Sequence, residues 1–191
     1  MSLDQQRAEL GRLGFRIVAD SSDRIVATAR RFHWDCVFTW ISYIVLVRRV
    51  EDLVVPQIDA DRDEMQRTAG SIDPSALPRG LQKGTALLTV YVADRVAPAA
   101  QELLARKPAV RFASFYVPAA LDQSTALTHF VRDTPMWGAI YYGKFRYLIQ
   151  RLLVQRKSGS SWPLSPFGAT LKVLLILMTV ASVAIILSAR R

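Results

Sequence analysis

The sequence is poor in the residue types from which many catalytic and metal sites are built. It has one cysteine, Cys36, and two histidines, His33 and His129, among 191 residues. An intramolecular disulfide and a zinc site made of several thiolates are therefore excluded. The chain also lacks a glycine-rich phosphate loop, a GxSxG nucleophile elbow and an HExxH motif. We expect no cofactor, and the lone thiol is typical of a reducing compartment.

Acidic residues are absent after Asp133, and this absence accounts for most of the net charge of +9. Residues 1–140 carry 17 Lys and Arg against 16 Asp and Glu and are therefore nearly neutral. The other eight basic residues surround a C-terminal apolar segment; they are Lys144, Arg146, Arg151, Arg156, Lys157, Lys172, Arg190 and Arg191. Each basic residue near anionic headgroups contributes roughly 1 kcal/mol, so we predict that this set faces a membrane. A nucleic-acid binder would carry its basic stripe on the folded domain, so nucleic acid is not an expected partner.

Charged side chains are also missing from residues 173–189, a run of 17 residues; counted from Phe167, the apolar segment has 23 residues and one charge, Lys172, near its N-terminal edge. A helix needs about 20 residues to cross a bilayer core of roughly 30 Å. We therefore predict a transmembrane helix at 169–189, preceded by a linker rich in Ser, Gly and Pro at 157–168. Trp162 and Phe167 would then belong to the interfacial aromatic belt. The alternative is a buried core helix, which would usually present one polar face.

The orientation of this helix follows from the charges around it. The larger basic cluster precedes the span, and the positive-inside bias places that cluster in the cytoplasm. The N-terminal sequence is polar and amphipathic and lacks the apolar region of a signal peptide. We expect a single-pass, tail-anchored protein with its N-terminal domain in the cytoplasm, at a bacterial inner membrane or an equivalent membrane.

Residues 1–156 have the sequence periodicities of one cytosolic α/β domain. Amphipathic segments predict helices at 3–13, 51–70, 97–106 and 140–156, and runs of β-branched and aromatic residues predict strands at 15–19, 25–32, 37–47, 86–92 and 110–117. The order αβββαβαβα predicts a mixed sheet of about five strands with helices on both faces, and the last crossover predicts a parallel pair. The basic amphipathic helix within 139–156 either packs on the sheet or lies on the membrane surface.

Three residues are weak candidates for catalysis. His33 and Asp35 would share one face of a strand, as a base and its orienting carboxylate, with Cys36 alongside. Asp94 follows a predicted strand, where open α/β sheets bind ligands, although the same position suits a helix N-cap. His129 is far away in sequence, on a predicted helix. Isolated residues of these types are more often structural, and the acidic run at 59–64 lacks the Gly and Glu spacing of a calcium loop.

The same order of elements occurs in the endonuclease-like α/β sandwich. Its chemistry would need an acidic residue on the second strand and Asp/Glu-x-Lys on the third. Residues 37–50 contain neither an acid nor a lysine, and Glu51 is expected after the strand. The leading hypothesis is therefore a non-enzymatic binding or scaffolding module at the membrane, with a protein partner or a second copy of the chain. The alternatives are an enzyme of unknown class on the α/β sheet and a degenerate nuclease-like domain that lacks its metal site.

Overall fold

The fold is described from a computed structural model, which covers residues 2–36, 38–72, 83–106, 114–134, 139–154, 168–170 and 172. The helices are α1 (Leu3–Arg12), α2 (Val55–Ile72), α3 (Pro98–Ala105) and α4 (Ala139–Leu153). The strands are β1 (Arg16–Asp20), β2 (Arg24–His33), β3 (Thr39–Leu53), β4 (Lys83–Val96), β5 (Ser114–Asp122) and β6 (Leu127–Phe130). The predicted mixed α/β fold is confirmed, with the order αβββαβαββα and one strand more than expected.

All six strands form one sheet in the order β1-β2-β3-β4-β5-β6. Strands β1, β2 and β3 are antiparallel neighbours, and β6 folds back antiparallel onto β5. Strands β3, β4 and β5 are parallel, because α2 and α3 return the chain between them. The predicted parallel pair, β4 with β5, is confirmed. The β2–β3 turn and the first residues of β3, β4 and β5 lie at one end of the sheet, called here the hairpin end; the opposite end is called the carboxyl end.

Helices cover both faces of the sheet. Helices α1 and α4 pack on one face, where Leu10 and Phe145 join a core that includes Tyr43 of β3. Helices α2 and α3 pack on the other face, where Ile58 and Leu104 contact the core around Tyr91 of β4. The middle of β3, from Ile41 to Val47, is buried on both sides, as expected of a central strand in a parallel arrangement. Helix α4 therefore packs on the sheet through its apolar face.

Both central strands are longer than the sequence indicated. Strand β3 continues to Leu53, so Glu51 lies within it and not after it. Strand β4 continues to Val96, so Asp94 is a strand residue, and the N-cap position of α3 belongs to Ala97. The charged residues in these extensions suggested strand ends, but the two backbones stay paired as far as Leu53 and Val96. The predicted N-cap role of Asp94 is therefore wrong.

Strand β6 was not predicted, and it carries His129, which was expected on a helix. The turn before β6 is held by the buried carboxylate of Asp122. This carboxylate accepts hydrogen bonds from the backbone N–H of Ser124 (3.0 Å) and Thr125 (3.4 Å) and from the Ser124 hydroxyl (2.6 Å). These bonds fix a tight reversal in a sequence that lacks glycine, with Ala126 in the left-handed region at φ 55°.

The predicted span at 169–189 lies almost wholly outside the described residues, as does the linker at 157–168 apart from Gly168. Within the described part of the chain, no helix is both long enough and apolar enough to cross a membrane. Residues 168–170 and 172 are helical. The span itself therefore stays a prediction.

Candidate functional site

The hairpin end of the sheet contains a buried ion pair. The Lys144 ammonium, in the second turn of α4, donates to the Asp35 carboxylate in the β2–β3 turn, with Nζ 2.8 Å from Oδ2. Each side chain is 3% exposed. Two buried charges are tolerated only when they neutralise each other, because the loss of hydration costs several kcal/mol per ion. The pair therefore ties the turn to a helix that lies more than one hundred residues later in the chain.

His33 lies beside this pair. Its Nε2 is 2.8 Å from the Tyr43 hydroxyl, and its Nδ1 is 4.0 Å from Oδ1 of Asp35. Burial, together with the positive charge of Lys144, lowers the pKa of His33 to about 4, so the imidazole is neutral at pH 7. Burial also raises the pKa of the Tyr43 hydroxyl, which stays protonated. Both ring nitrogens of His33 face buried protein groups, whereas a general base needs one nitrogen within reach of a substrate.

Cys36 and its neighbours fix the turn to the start of α4. The Cys36 thiol is buried, and its Sγ lies 3.6 Å from the carbonyl oxygen of Ile140. The Thr39 hydroxyl donates to the Cys36 carbonyl (2.6 Å), and the Tyr141 hydroxyl donates to Thr39 Oγ1 (3.1 Å). Burial also raises the pKa of Tyr141. These contacts hold the turn in one conformation and direct the thiol towards the protein.

The predicted base and its carboxylate, His33 and Asp35, do come together. They line a surface pocket of about 410 Å³, formed by residues 30–35 and Lys144. The Asp35 carboxylate is already bound to the ammonium, and the histidine is engaged with Tyr43. Among the described residues, no group of three or more His, Cys, Asp or Glu side chains is arranged to hold a metal ion.

Asp94 lies elsewhere, at the carboxyl end of the sheet. It is separated from Lys83, at the hairpin end of the same strand, by roughly 35 Å at about 3.3 Å per strand residue. Its exposed carboxylate accepts a hydrogen bond from the Gln123 side chain (2.8 Å) and lies 3.8 Å from the Arg49 guanidinium. The three weak catalytic candidates therefore do not form one site.

An exposed aromatic cluster lies at the hairpin end, on residues that flank Asp35 in sequence, and we call it the aromatic patch. It consists of Phe32, Trp34, Phe38 and Trp40, which are 38–56% exposed. The Phe32 ring lies 5.2 Å from the Trp40 ring and 6.3 Å from the Phe38 ring, between ring centroids. The Arg30 guanidinium lies 5.0 Å above the Trp40 ring. The sequence had suggested that Phe38 and Trp40 belong to a strand covered on both faces, and this expectation is wrong.

The patch was missed because it lies beyond the part of the sheet that α2 covers. Phe32 of β2 pairs directly with Trp40 of β3, so the two side chains lie on the same face. Helix α2 contacts this face farther from the hairpin end, where its Met65 packs around Val26 and Leu46. A signal was present in the sequence, since three of the four aromatic residues lie outside the middle of the predicted strands.

The predicted membrane-facing basic residues are only partly described. Lys144 is buried against Asp35, so its ammonium is not available to a lipid headgroup. Arg146 and Arg151 are half-buried and bond to other groups of the domain, whereas Lys172 is exposed. Outside the described residues lie the basic residues Arg156, Lys157, Arg190 and Arg191 and the predicted interfacial aromatics Trp162 and Phe167.

Gly168 packs directly against the β2–β3 turn. It is buried, and a Cβ atom at this position would overlap the Cβ of Asp35 and lie 3.1 Å from the Asp35 Cα. Only a residue without a side chain permits this approach of two backbones. The first helical residue before the predicted span therefore lies at the hairpin end, against Asp35, which follows Trp34 of the aromatic patch in sequence.

A scan of the chain against models of known protein families gives no match, and a search of curated proteins gives none either. The function is therefore argued from the residues and their geometry.

Proposed function

We propose that this chain is a membrane-anchored protein whose α/β domain is a non-enzymatic binding or scaffolding module at the cytoplasmic membrane surface. Its anchor is the helix predicted at 169–189. Its partners are a bilayer with anionic headgroups and either another protein or a second copy of the chain. The observation that carries the proposal is the position of Gly168: the residue that precedes the apolar segment is buried against Asp35, at the end of the sheet with the aromatic patch.

The geometry around the pocket supports a binding module more than an enzyme. The polar groups that could act in catalysis are bonded to each other: Asp35 to Lys144, and His33 to Tyr43. A nuclease-like activity also gains no support. Strand β3 does carry Glu51 and Asp52, but the residue two positions after Glu51 is Leu53, where that chemistry would need lysine.

The anchor is tested by membrane extraction of the full chain. We expect it to remain in the membrane pellet after washes with high salt and with alkaline carbonate, because a spanning helix resists both. The variant Met178→Arg/Val180→Arg introduces two charges near the middle of the span. Each charge raises the free energy of membrane insertion by about 2.5–3.5 kcal/mol. This variant is expected to be released, whereas the matched control Met178→Leu/Val180→Leu stays. Release of the unmodified chain by carbonate would show that the segment is not an anchor.

An enzyme that uses the pocket is a second candidate, because the pocket brings His33 and Asp35 together beside Cys36. The two candidates differ in the state of the thiol. A buried thiol directed at a backbone carbonyl reacts slowly with iodoacetamide at neutral pH, whereas a nucleophile activated by a nearby base reacts faster than a free thiol. Labelling of Cys36 faster than free cysteine, followed by mass spectrometry, would favour the enzyme.

A further inference from the structure

We propose that the aromatic patch is a second membrane contact, which holds the hairpin end of the domain in the bilayer interface beside the anchor. This inference rests on the proposed anchor and adds an orientation to it. The domain would lie with the β2–β3 turn in the headgroup region and with the carboxyl end of the sheet, where Asp94 lies, directed into the cytoplasm.

The concentration of exposed apolar side chains supports a binding surface at this place. Eight large apolar side chains are exposed in the described part of the chain, and four of them are the patch residues. The other four are scattered over separate elements: Val18, Val54, Leu127 and Val154. Single exposed apolar residues are ordinary, but the rings of Phe32, Phe38 and Trp40 are contiguous, and such a group marks an interaction site.

The chemistry of the patch suits a lipid interface. Tryptophan is enriched at the membrane–water boundary because its ring is apolar and its N–H is polar. Arg30, stacked on Trp40, adds a guanidinium whose geometry matches a phosphate group. Residues 30–40 contain only one acid, Asp35, and Lys144 neutralises it inside the domain. The outer surface of the turn therefore carries aromatic rings and positive charge without a competing carboxylate.

The position of Gly168 brings this surface to the bilayer. The charge-free run begins five residues later, at Val173, which corresponds to roughly 8 Å along a helix at about 1.5 Å per residue. This distance is close to the thickness of one headgroup layer, roughly 5–8 Å. Gly168 lies against Asp35, and Trp34 precedes Asp35 in sequence. Trp34 is therefore held within the same headgroup layer as Gly168.

The backbone of Phe38 is a further observation that points outward. Its φ angle is 53°, in the left-handed region that bulky residues avoid because it costs conformational free energy. Its side chain is nevertheless 56% exposed, so burial in the domain does not offset this cost. Contact with a membrane would bury the ring and explain why the turn presents it.

The test uses the full chain reconstituted into vesicles of phosphatidylcholine and phosphatidylglycerol. The variant Trp137→Phe/Trp162→Phe leaves Trp34 and Trp40 as the fluorescent residues. Lipids brominated on their acyl chains quench tryptophan only at close approach. We expect the emission of this variant to be weaker in brominated vesicles than in vesicles of the same lipids without bromine.

Two further substitutions make the test specific to the patch. Phe38→Ser is expected to weaken the quenching, whereas Leu127→Ser, which removes an equally exposed side chain (57%) from the opposite end of the sheet, leaves it unchanged. Circular dichroism checks that both variants are folded.

The outcomes separate the contact from the anchor. Unquenched emission from a chain that still resists carbonate would overturn the membrane contact and leave the anchor standing. Equal loss of quenching in the two serine variants would also overturn the contact. Release of the chain by carbonate would overturn both proposals.

Discussion

The buried ion pair makes a quantitative prediction about stability. The substitution Lys144→Met keeps the length of the side chain and removes its charge, which leaves the Asp35 carboxylate buried without a cation. Since both side chains are 3% exposed, water cannot replace the lost partner unless the turn opens. Opening the turn would also break the contacts of Cys36 and Thr39 with α4.

The expected loss follows from the cost of breaking a buried pair, about 3–5 kcal/mol. The free energy of unfolding of a domain of this size is roughly 5–15 kcal/mol, so the loss is a large fraction of the total. At about 2–4 °C per kcal/mol, the melting temperature would fall by roughly 6–20 °C. The double variant Asp35→Asn/Lys144→Met removes both charges, so we expect it to be more stable than Lys144→Met alone.

Thermal unfolding of the full chain in a mild detergent, followed by near-ultraviolet circular dichroism, measures these differences. Lys172→Met is the matched control, because it makes the same change at an exposed lysine and is expected to alter stability by less than about 0.5 kcal/mol. The reasoning would be refuted if Lys144→Met cost less than about 1 kcal/mol. The reasoning would also be refuted if the double variant lost as much stability as the two single variants, Asp35→Asn and Lys144→Met, lose together.

Three other predictions concern the remaining candidate residues. His33 is protonated below about pH 6.5 in the unfolded chain, but only near pH 4 in the folded chain, where its pKa is lowered. The free energy of unfolding therefore decreases as the pH is lowered from 6.5 to 4, by up to about 1.4 kcal/mol per pH unit. Urea unfolding at pH 7 and at pH 5 measures this loss of stability. The variant His33→Gln is expected to show a smaller difference between the two pH values. Asp122→Ala leaves backbone N–H groups of the β5–β6 turn without their acceptor and is expected to cost about 1–3 kcal/mol in urea unfolding. Asp94→Ala, at an exposed ion pair, is expected to change the free energy of unfolding, measured in urea, by less than about 0.5 kcal/mol; a larger loss would reveal a role that its contacts do not explain.

Much of the fold could be predicted from the sequence because its elements are long and periodic. The β-branched core of β3 and the helix opened by Pro98 were evident from local pattern. The ends of β3 and β4 could not be predicted, because the pairing of two charged segments depends on a neighbour far away in sequence. Strand β6 has only four residues, and its formation depends on the turn held by Asp122.

The candidate site could be predicted only in part. The proximity of His33 and Asp35 was predicted, but on one strand face; β2 ends at His33, Asp35 lies in the turn, and the charge that neutralises its carboxylate comes from Lys144. The sequence did contain a signal for its burial: Lys144 precedes Leu148 by four residues and follows Tyr141 by three, so it lies on the apolar side of α4. The exposure of the aromatic patch was indicated only by the position of three of its residues outside the middle of the predicted strands, since its extent depends on where α2 leaves the sheet uncovered.

The contact between the first and last helices of the domain has a consequence for folding. The Gln6 side chain bonds to the Leu152 carbonyl, 146 residues away, and α1 packs beside α4. Together these helices cover the core of one face of the sheet, including Tyr43 and Val90. A fragment that ends before α4 would expose this apolar face and aggregate instead of forming a smaller domain. We therefore expect residues 3–153 to fold as one cooperative unit, whose apolar face stays open until α4, its last element, has packed.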